Sequence, residues 1–139
     1  MAYQLEFTQK YQYVAALTGI NLPVKLQCAS GEFEVDAKVD TGAEYCIFAR
    51  EVGEELGLNI TSGEPLTVGS LTGGSLRIYG HAVSLIALDL KIDTTVYFCE
   101  KYEVLRNLLG RRGWLEYFQI GLIEYTQELY LSLLYSSEI

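Results

Sequence analysis

The residues of this chain best suited to carry out chemistry are Asp40, Thr41 and Gly42. Asp40 follows a segment in which apolar and polar residues alternate, as in a strand with one buried face, and it enters a Thr-Gly turn. A carboxylate held there can lie at the mouth of a cleft and accept a proton from water. The sequence contains one Asp-Thr-Gly, so a site that needs two facing carboxylates requires a second chain.

Other ionisable side chains offer weaker sites. Asp36 falls on the polar face of the same strand, and Asp89 and Asp93 flank a predicted turn, so we interpret all three as solvent charges. The single histidine, His81, could suggest a cysteine nucleophile with Cys46. Nothing in their spacing brings the two together, and a structural histidine is the favoured interpretation.

The chain carries three cysteines, Cys28, Cys46 and Cys99. An odd number at wide spacing favours reduced thiols over a disulfide framework. Together with one histidine, they lack the spacing of a metal site. We therefore expect neither a metal ion nor a cofactor.

Length, charge and hydropathy narrow the classes of protein. The 139 residues, half of them hydrophobic, suit a single domain spanning residues 1–139. The net charge of -8 opposes binding to nucleic acid. No segment is long and apolar enough to span a membrane, and the N-terminal residues lack the basic start and apolar run of a signal peptide. These observations predict a cytoplasmic protein without a nucleic-acid or membrane partner.

Short strands dominate the predicted elements. The cleanest alternation covers residues 32–39, with Phe33, Val35, Ala37 and Val39 on one face. Further strands are predicted at residues 4–7, 22–28, 66–71, 75–79, 82–92, 94–99, 118–124 and 129–134, with a turn around 91–93, and short helices at 49–58 and 113–118. Many short strands separated by glycine turns indicate an all-β fold, either a small barrel or a sandwich.

Three features follow one another in a particular order along the chain. The Val39–Ala43 segment, with its Asp-Thr-Gly, comes first, a glycine-rich hairpin around residues 72–74 comes next, and Leu109-Gly110-Arg111 with a following Gly-Trp-Leu comes last. In these features the chain resembles the retropepsin-like aspartic proteases, the single-domain relatives of the retroviral enzymes, from about residue 22 to residue 134. The resemblance implies a small closed β-barrel of retropepsin type, with one or two short helices, a flap hairpin and a two-fold homodimer.

The resemblance also implies roles for individual residues. The catalytic set would be Asp40, Thr41 and Gly42. The flap and substrate-binding set would be Ala43, Gly69, Ser70, Leu71, Thr72, Gly73 and Gly74. The structural support would be Glu44, Leu109, Gly110 and Arg111, with Glu44 and Arg111 forming an internal ion pair.

The expected activity is hydrolysis of peptide bonds in extended peptides by two Asp40 carboxylates of a homodimer. The apolar strand at residues 129–134 would be sticky as a free edge, so we expect it to pair with a partner's termini. The alternative is that it pairs only within its own barrel and that the protein is a weak, mostly monomeric dimer. A non-catalytic module of the same fold that dimerises or captures peptides is the alternative function.

Overall fold

Strands make up most of the computed structural model, which describes residues 1–14, 16–69, 73–102 and 106–134. One α-helix, α1 (Arg50–Glu55), and two 3₁₀ helices (Ile60–Ser62 and Leu115–Tyr117) lie within these ranges. The described strands are β1 (Gln9–Gln12), β2 (Asn21–Cys28), β3 (Gly31–Val39), β4 (Ile47–Phe48), β5 (Glu64–Gly69), β6 (Ser75–Ala87), β7 (Leu90–Cys99), β8 (Leu108–Leu109), β9 (Phe118–Ile123) and β10 (Glu128–Leu133). The predicted all-β class is confirmed.

The larger sheet has seven strands in the order β2-β3-β8-β4-β7-β6-β5. Strand β2 also pairs with β6, so every strand of this sheet except β5 belongs to one closed hydrogen-bonded circuit. Asp40 directly follows β3, which pairs antiparallel with β2 on one side and parallel with β8 on the other. A strand held on both sides gives the residue that follows it a fixed starting position.

The core joins residues of this circuit to residues of α1, β9 and β10. Its largest fully buried side chains include Trp114, Phe48 and Phe98. Gly53 lets α1 pack closely, because a Cβ there would lie 2.3 Å from Cδ1 of Ile60 and 2.9 Å from a ring carbon of Phe98. The helix predicted at residues 49–58 is present, but its regular part is shorter and covers Arg50–Glu55. No helix in the described ranges is long and apolar enough to cross a membrane.

The turn between β6 and β7 differs from the prediction. It lies at Leu88 and Asp89, both with left-handed φ values of 49° and 66°, and not around residues 91–93. Ile92 is buried opposite Leu85, and Asp93 accepts a hydrogen bond of 2.7 Å from the Ser84 hydroxyl across the strands. The sequence signal was missed because neither turn residue is the glycine that usually takes this conformation. The second predicted helix, at 113–118, is reduced to the 3₁₀ turn at Leu115–Tyr117.

The smaller sheet has the order β1-β10-β9. The strand predicted at residues 4–7 is not formed, and β1 begins at Gln9 instead. Side-chain contacts hold the preceding residues: the Gln119 amide donates to the Glu6 carbonyl at 2.7 Å, and the Phe7 ring lies 5.7 Å from the Tyr130 ring.

Strand β10 is the central strand of the smaller sheet, with β1 on one side and β9 on the other. The prediction that residues 129–134 form a free edge covered by a partner is therefore wrong. Its hydrogen-bonding partners belong to its own chain, as in the alternative left open from the sequence. Leu129 and Leu131 are fully buried on it. Neither backbone edge of β10 is therefore free to pair with a second copy.

The ion pair between Lys10 and Glu128 joins β1 to β10 at 2.6 Å and should make stability depend on pH. Hydrogen bonds from Lys10 and then Thr126 lower the pKa of Glu128 from 4.5 to about 2. Because the folded-state pKa is the lower one, this stabilisation is present above pH 4.5 and is lost as pH falls toward about 2. In urea titrations the free energy of unfolding should fall more steeply over that range for wild type than for Glu128→Gln.

The matched control is Glu34→Gln, on the exposed face of β3. Within the described residues no ion pair involves Glu34, so this variant should keep the wild-type pH dependence. Equal pH slopes for wild type and Glu128→Gln would contradict a stabilising role for the Lys10–Glu128 contact.

Candidate active site

Asp40 is half-buried in a tight loop that is closed by its own hydrogen bonds. The Gly42 N–H donates to Oδ1 of Asp40 at 2.9 Å, and the Ala43 N–H donates to the Asp40 carbonyl at 3.2 Å. A Cβ on Gly42 would lie 3.2 Å from Oδ1, so glycine allows the carboxylate to fold back over the loop. The backbone thus fixes one carboxylate oxygen and leaves the side chain accessible to solvent.

The second predicted motif passes directly beneath this loop. The Asp40 N–H donates to the Leu109 carbonyl at 3.0 Å, and the Arg111 N–H donates to the Ala43 carbonyl at 2.8 Å. A Cβ on Gly110 would lie 2.3 Å from the Tyr45 carbonyl oxygen and 2.9 Å from that of Ala43. Only glycine allows such an approach of two backbones, so Leu109, Gly110 and Arg111 support the Asp40 loop through their main chain.

The buried Cys46 thiol links the same two segments, a contact that sequence reasoning did not identify. The Gly110 N–H donates to Sγ of Cys46 at 3.3 Å, and Sγ lies 3.6 Å from the Arg112 carbonyl oxygen. Burial raises the pKa of this thiol to about 12, so it stays protonated and unreactive. Cys46 is therefore part of the support for the loop and not a nucleophile.

Trp114 anchors the supporting segment in the core. Its side chain is fully buried, with its ring 4.9 Å from that of Phe118. Gly113, just before it, has φ of 98°, a conformation that favours glycine, and its carbonyl accepts a hydrogen bond of 2.9 Å from the Thr94 hydroxyl. The chain therefore turns sharply from the exposed arginines into the interior.

Glu44 pairs with Arg112, at 3.1 Å, and not with Arg111 as predicted. The reason is local, because the Arg112 N–H donates to the Glu44 carbonyl at 2.7 Å and brings the two side chains together. Both side chains are more than half exposed, at 67% and 61%, so the pair adds little to the stability of the fold.

An open groove lies beside the Asp40 loop, with a volume of about 490 Å³. Thr41 contributes to one wall, and the other polar lining residues are Glu44, Arg111, Arg112 and Glu116. Leu115 and Ile120 complete the lining. The groove therefore joins the predicted catalytic loop to charged residues of the supporting segment.

The predicted flap hairpin is formed by β5 and β6, which pair from Glu64–Gly80 to Gly69–Ser75. Gly73 has φ of 86°. Of the positions predicted as the flap, Ser70, Leu71 and Thr72 lie outside the described residues, whereas Gly69, Gly73 and Gly74 are exposed.

The remaining sequence candidates lie in structural roles. The ring of His81 packs 5.8 Å from that of Phe98, and its Nε2 lies 2.9 Å from the Ile60 carbonyl oxygen. Asp36 is exposed on β3, and Asp93 accepts a hydrogen bond from the Ser84 hydroxyl. Across the described ranges, no group of three or more histidine, cysteine or acidic side chains is arranged to hold a metal ion.

Comparison with known proteins agrees with this geometry. A family model described as aspartyl protease matches residues 22–121. Among solved structures, the chain is similar to the EIAV protease complexed with the inhibitor HBY-793, with a TM-score of 0.53 and 15% identity over 70% of this chain and 86% of that chain. That similarity concerns the fold. No curated protein matches the chain.

The contact at Gly110 should make the Asp40 loop intolerant of even one added methyl group. We expect Gly110→Ala to lower the free energy of unfolding by about 1–3 kcal/mol or more, because the new Cβ meets backbone that cannot move aside. Gly69→Ala is the matched control, since nothing lies within 4 Å of a Cβ there. Urea denaturation of both variants measures the difference, and similar stability for the two would rule out a tight crossing at Gly110.

Proposed function

Because the chain belongs to the aspartyl protease family, we propose that it is an aspartic endopeptidase whose active site is made by two copies of Asp40. The observation that supports this most directly is the half-buried, loop-anchored carboxylate of Asp40 at the end of β3. One chain supplies one such carboxylate on an Asp-Thr-Gly loop, and a two-fold dimer supplies the second.

The chemistry follows from bringing two carboxyl groups together. Two carboxyl groups in close contact do not both ionise readily, because the two negative charges would repel each other. The pair therefore shares one proton, as is established for aspartic proteases as a class. The ionised member removes a proton from a water molecule held between the two groups, and that water attacks the carbonyl carbon of the peptide bond. The protonated member donates a hydrogen bond to the carbonyl oxygen, and a proton then passes to the leaving amine.

The neighbouring residues position this pair. We assign Thr41 to contacts between the two loops across the two-fold axis, through its hydroxyl group. Gly42 and Ala43 leave room for a substrate backbone beside the carboxylates. The β5–β6 hairpin closes over the substrate and excludes water. The substrate is an extended peptide that lies between the hairpin and the Asp40 loops, as strand-like ligands do in other grooves.

The second candidate function is a non-catalytic module that dimerises or captures peptides. It requires the same fold but gives no reason for the Gly42 N–H to hold the Asp40 carboxylate at the solvent boundary. The intact Asp-Thr-Gly loop therefore favours the enzyme.

A peptide-library digest separates the two functions. We expect wild type to cleave extended peptides and Asp40→Asn to lose at least about 100-fold in rate, because the amide cannot act as a general base. The Asp36→Asn variant, altered at an exposed acid of the same strand, should keep wild-type activity. Sedimentation velocity should give the same mass for all three proteins.

The other outcomes have distinct meanings. Cleavage at equal rates by wild type and Asp40→Asn would exclude Asp40 from the chemistry. No cleavage by wild type, with dimerisation preserved, would favour the binding module.

A further inference from the structure

The groove beside Thr41 holds two acids and two arginines, and only half of them are paired. Glu44 and Arg112 form an ion pair at 3.1 Å. Arg111 and Glu116 line the same groove but form no ion pair among the described residues, although both are exposed. One cation and one carboxylate are therefore left available on this surface.

Both of these residues are held in place by the backbone. Two hydrogen bonds fix Glu116. Its N–H donates to the Arg111 carbonyl at 3.0 Å, and its Oε2 accepts a hydrogen bond from the Gly113 N–H at 2.5 Å. The Arg111 N–H donates to the Ala43 carbonyl in the Asp40 loop. Oε1 of Glu116 accepts no hydrogen bond within the described part of the chain. The carboxylate is thus fixed through Oε2, while Oε1 retains the capacity to bind a cationic side chain.

The groove is well placed for contact with a second copy of the chain. It includes Thr41, next to the carboxylate that the proposed function puts near a two-fold axis. A two-fold interface brings the same patch of both copies together. If one residue of the first copy contacts a second residue of its partner, symmetry repeats that contact with the copies exchanged, so each contact occurs twice. An equal number of acids and arginines lets two such patches approach, even though each chain carries a net charge of -8.

From these contacts we infer that Arg111 of one protomer pairs with Glu116 of the partner subunit, and that two copies of this ion pair determine assembly of the active site. The inference rests on the proposed function, because that function places Asp40 and Thr41 at the axis. It assigns Arg111 to the interface between subunits, while Arg112 satisfies Glu44 within the chain. Strand β10 cannot extend its sheet into the partner, since both of its backbone edges are paired within the chain.

Charge reversal with complementation tests the inference. Arg111→Glu alone places acid against acid, and Glu116→Arg alone places arginine against arginine, so each should raise the dimer dissociation constant at least about tenfold. Mixing the two variants should restore dimers of mixed composition, because both contacts then join opposite charges. Native mass spectrometry distinguishes mixed from uniform dimers, and sedimentation gives the dissociation constants.

A second pair of variants controls for net charge. Lys91→Glu and Glu34→Lys alter exposed residues of β7 and β3 that form no ion pair within the described ranges. These variants should dimerise like wild type, alone or mixed. Circular dichroism of every variant identifies any that fails to fold. Arg111→Ala and Glu116→Gln then replace the charge reversals, and each should raise the dimer dissociation constant by a smaller factor than the reversal it replaces.

All association measurements are made in the Asp40→Asn background, so they do not depend on proteolysis. Unchanged dissociation constants for the single reversals, or a mixture that forms no mixed dimer, would overturn the inference. A wild-type chain that stays monomeric would overturn it as well. The peptide digest reports on the proposed function separately, since dimers with the expected charge pairing that cleave nothing would contradict the protease alone.

Discussion

The backbone crossing at Gly110 is the contact on which the rest of the site depends. Two segments more than sixty residues apart meet there without a side chain between them, and a Cβ would lie 2.3 Å from the Tyr45 carbonyl oxygen. Hydrogen bonds from Asp40 and Arg111 lie on either side of the crossing. The position of the Asp40 carboxylate is thereby set by main-chain geometry, and the buried Cys46 thiol accepts a hydrogen bond from the Gly110 N–H at the same crossing.

Sequence alone predicted the parts of this arrangement that local patterns encode. Alternation identified β3, the glycine-rich stretch identified the β5–β6 hairpin, and residues 109–111 were expected beneath the loop, where the structure places them. Each of these signals comes from a few neighbouring residues. Hydrophobic period and glycine placement report on burial and on backbone freedom, which are local requirements.

The features that sequence missed depend on contacts between distant residues. Arg111 and Arg112 are adjacent and chemically identical, and the hydrogen bond from the Arg112 N–H to Glu44 decides which one pairs. The apolar pattern of β10 predicts burial, but it does not say whether its neighbours come from the same chain. The sequence likewise gives no sign that the Cys46 thiol accepts a hydrogen bond from the Gly110 N–H. Only the three-dimensional arrangement distinguishes these alternatives.

Stability and the proposed assembly rest on different kinds of interaction in this protein. The site is held by an apolar core that includes Trp114 and by main-chain hydrogen bonds, neither of which needs a charged side chain. The groove beside Thr41 presents exposed charges, which add little to the folding of one chain but strongly affect which surfaces can meet. Ionic strength screens exposed charges far more than buried contacts. At ionic strengths where the repulsion between two chains of net charge -8 is already screened, further salt should weaken the proposed Arg111–Glu116 contacts and leave the fold, and the Asp40 loop within it, unchanged.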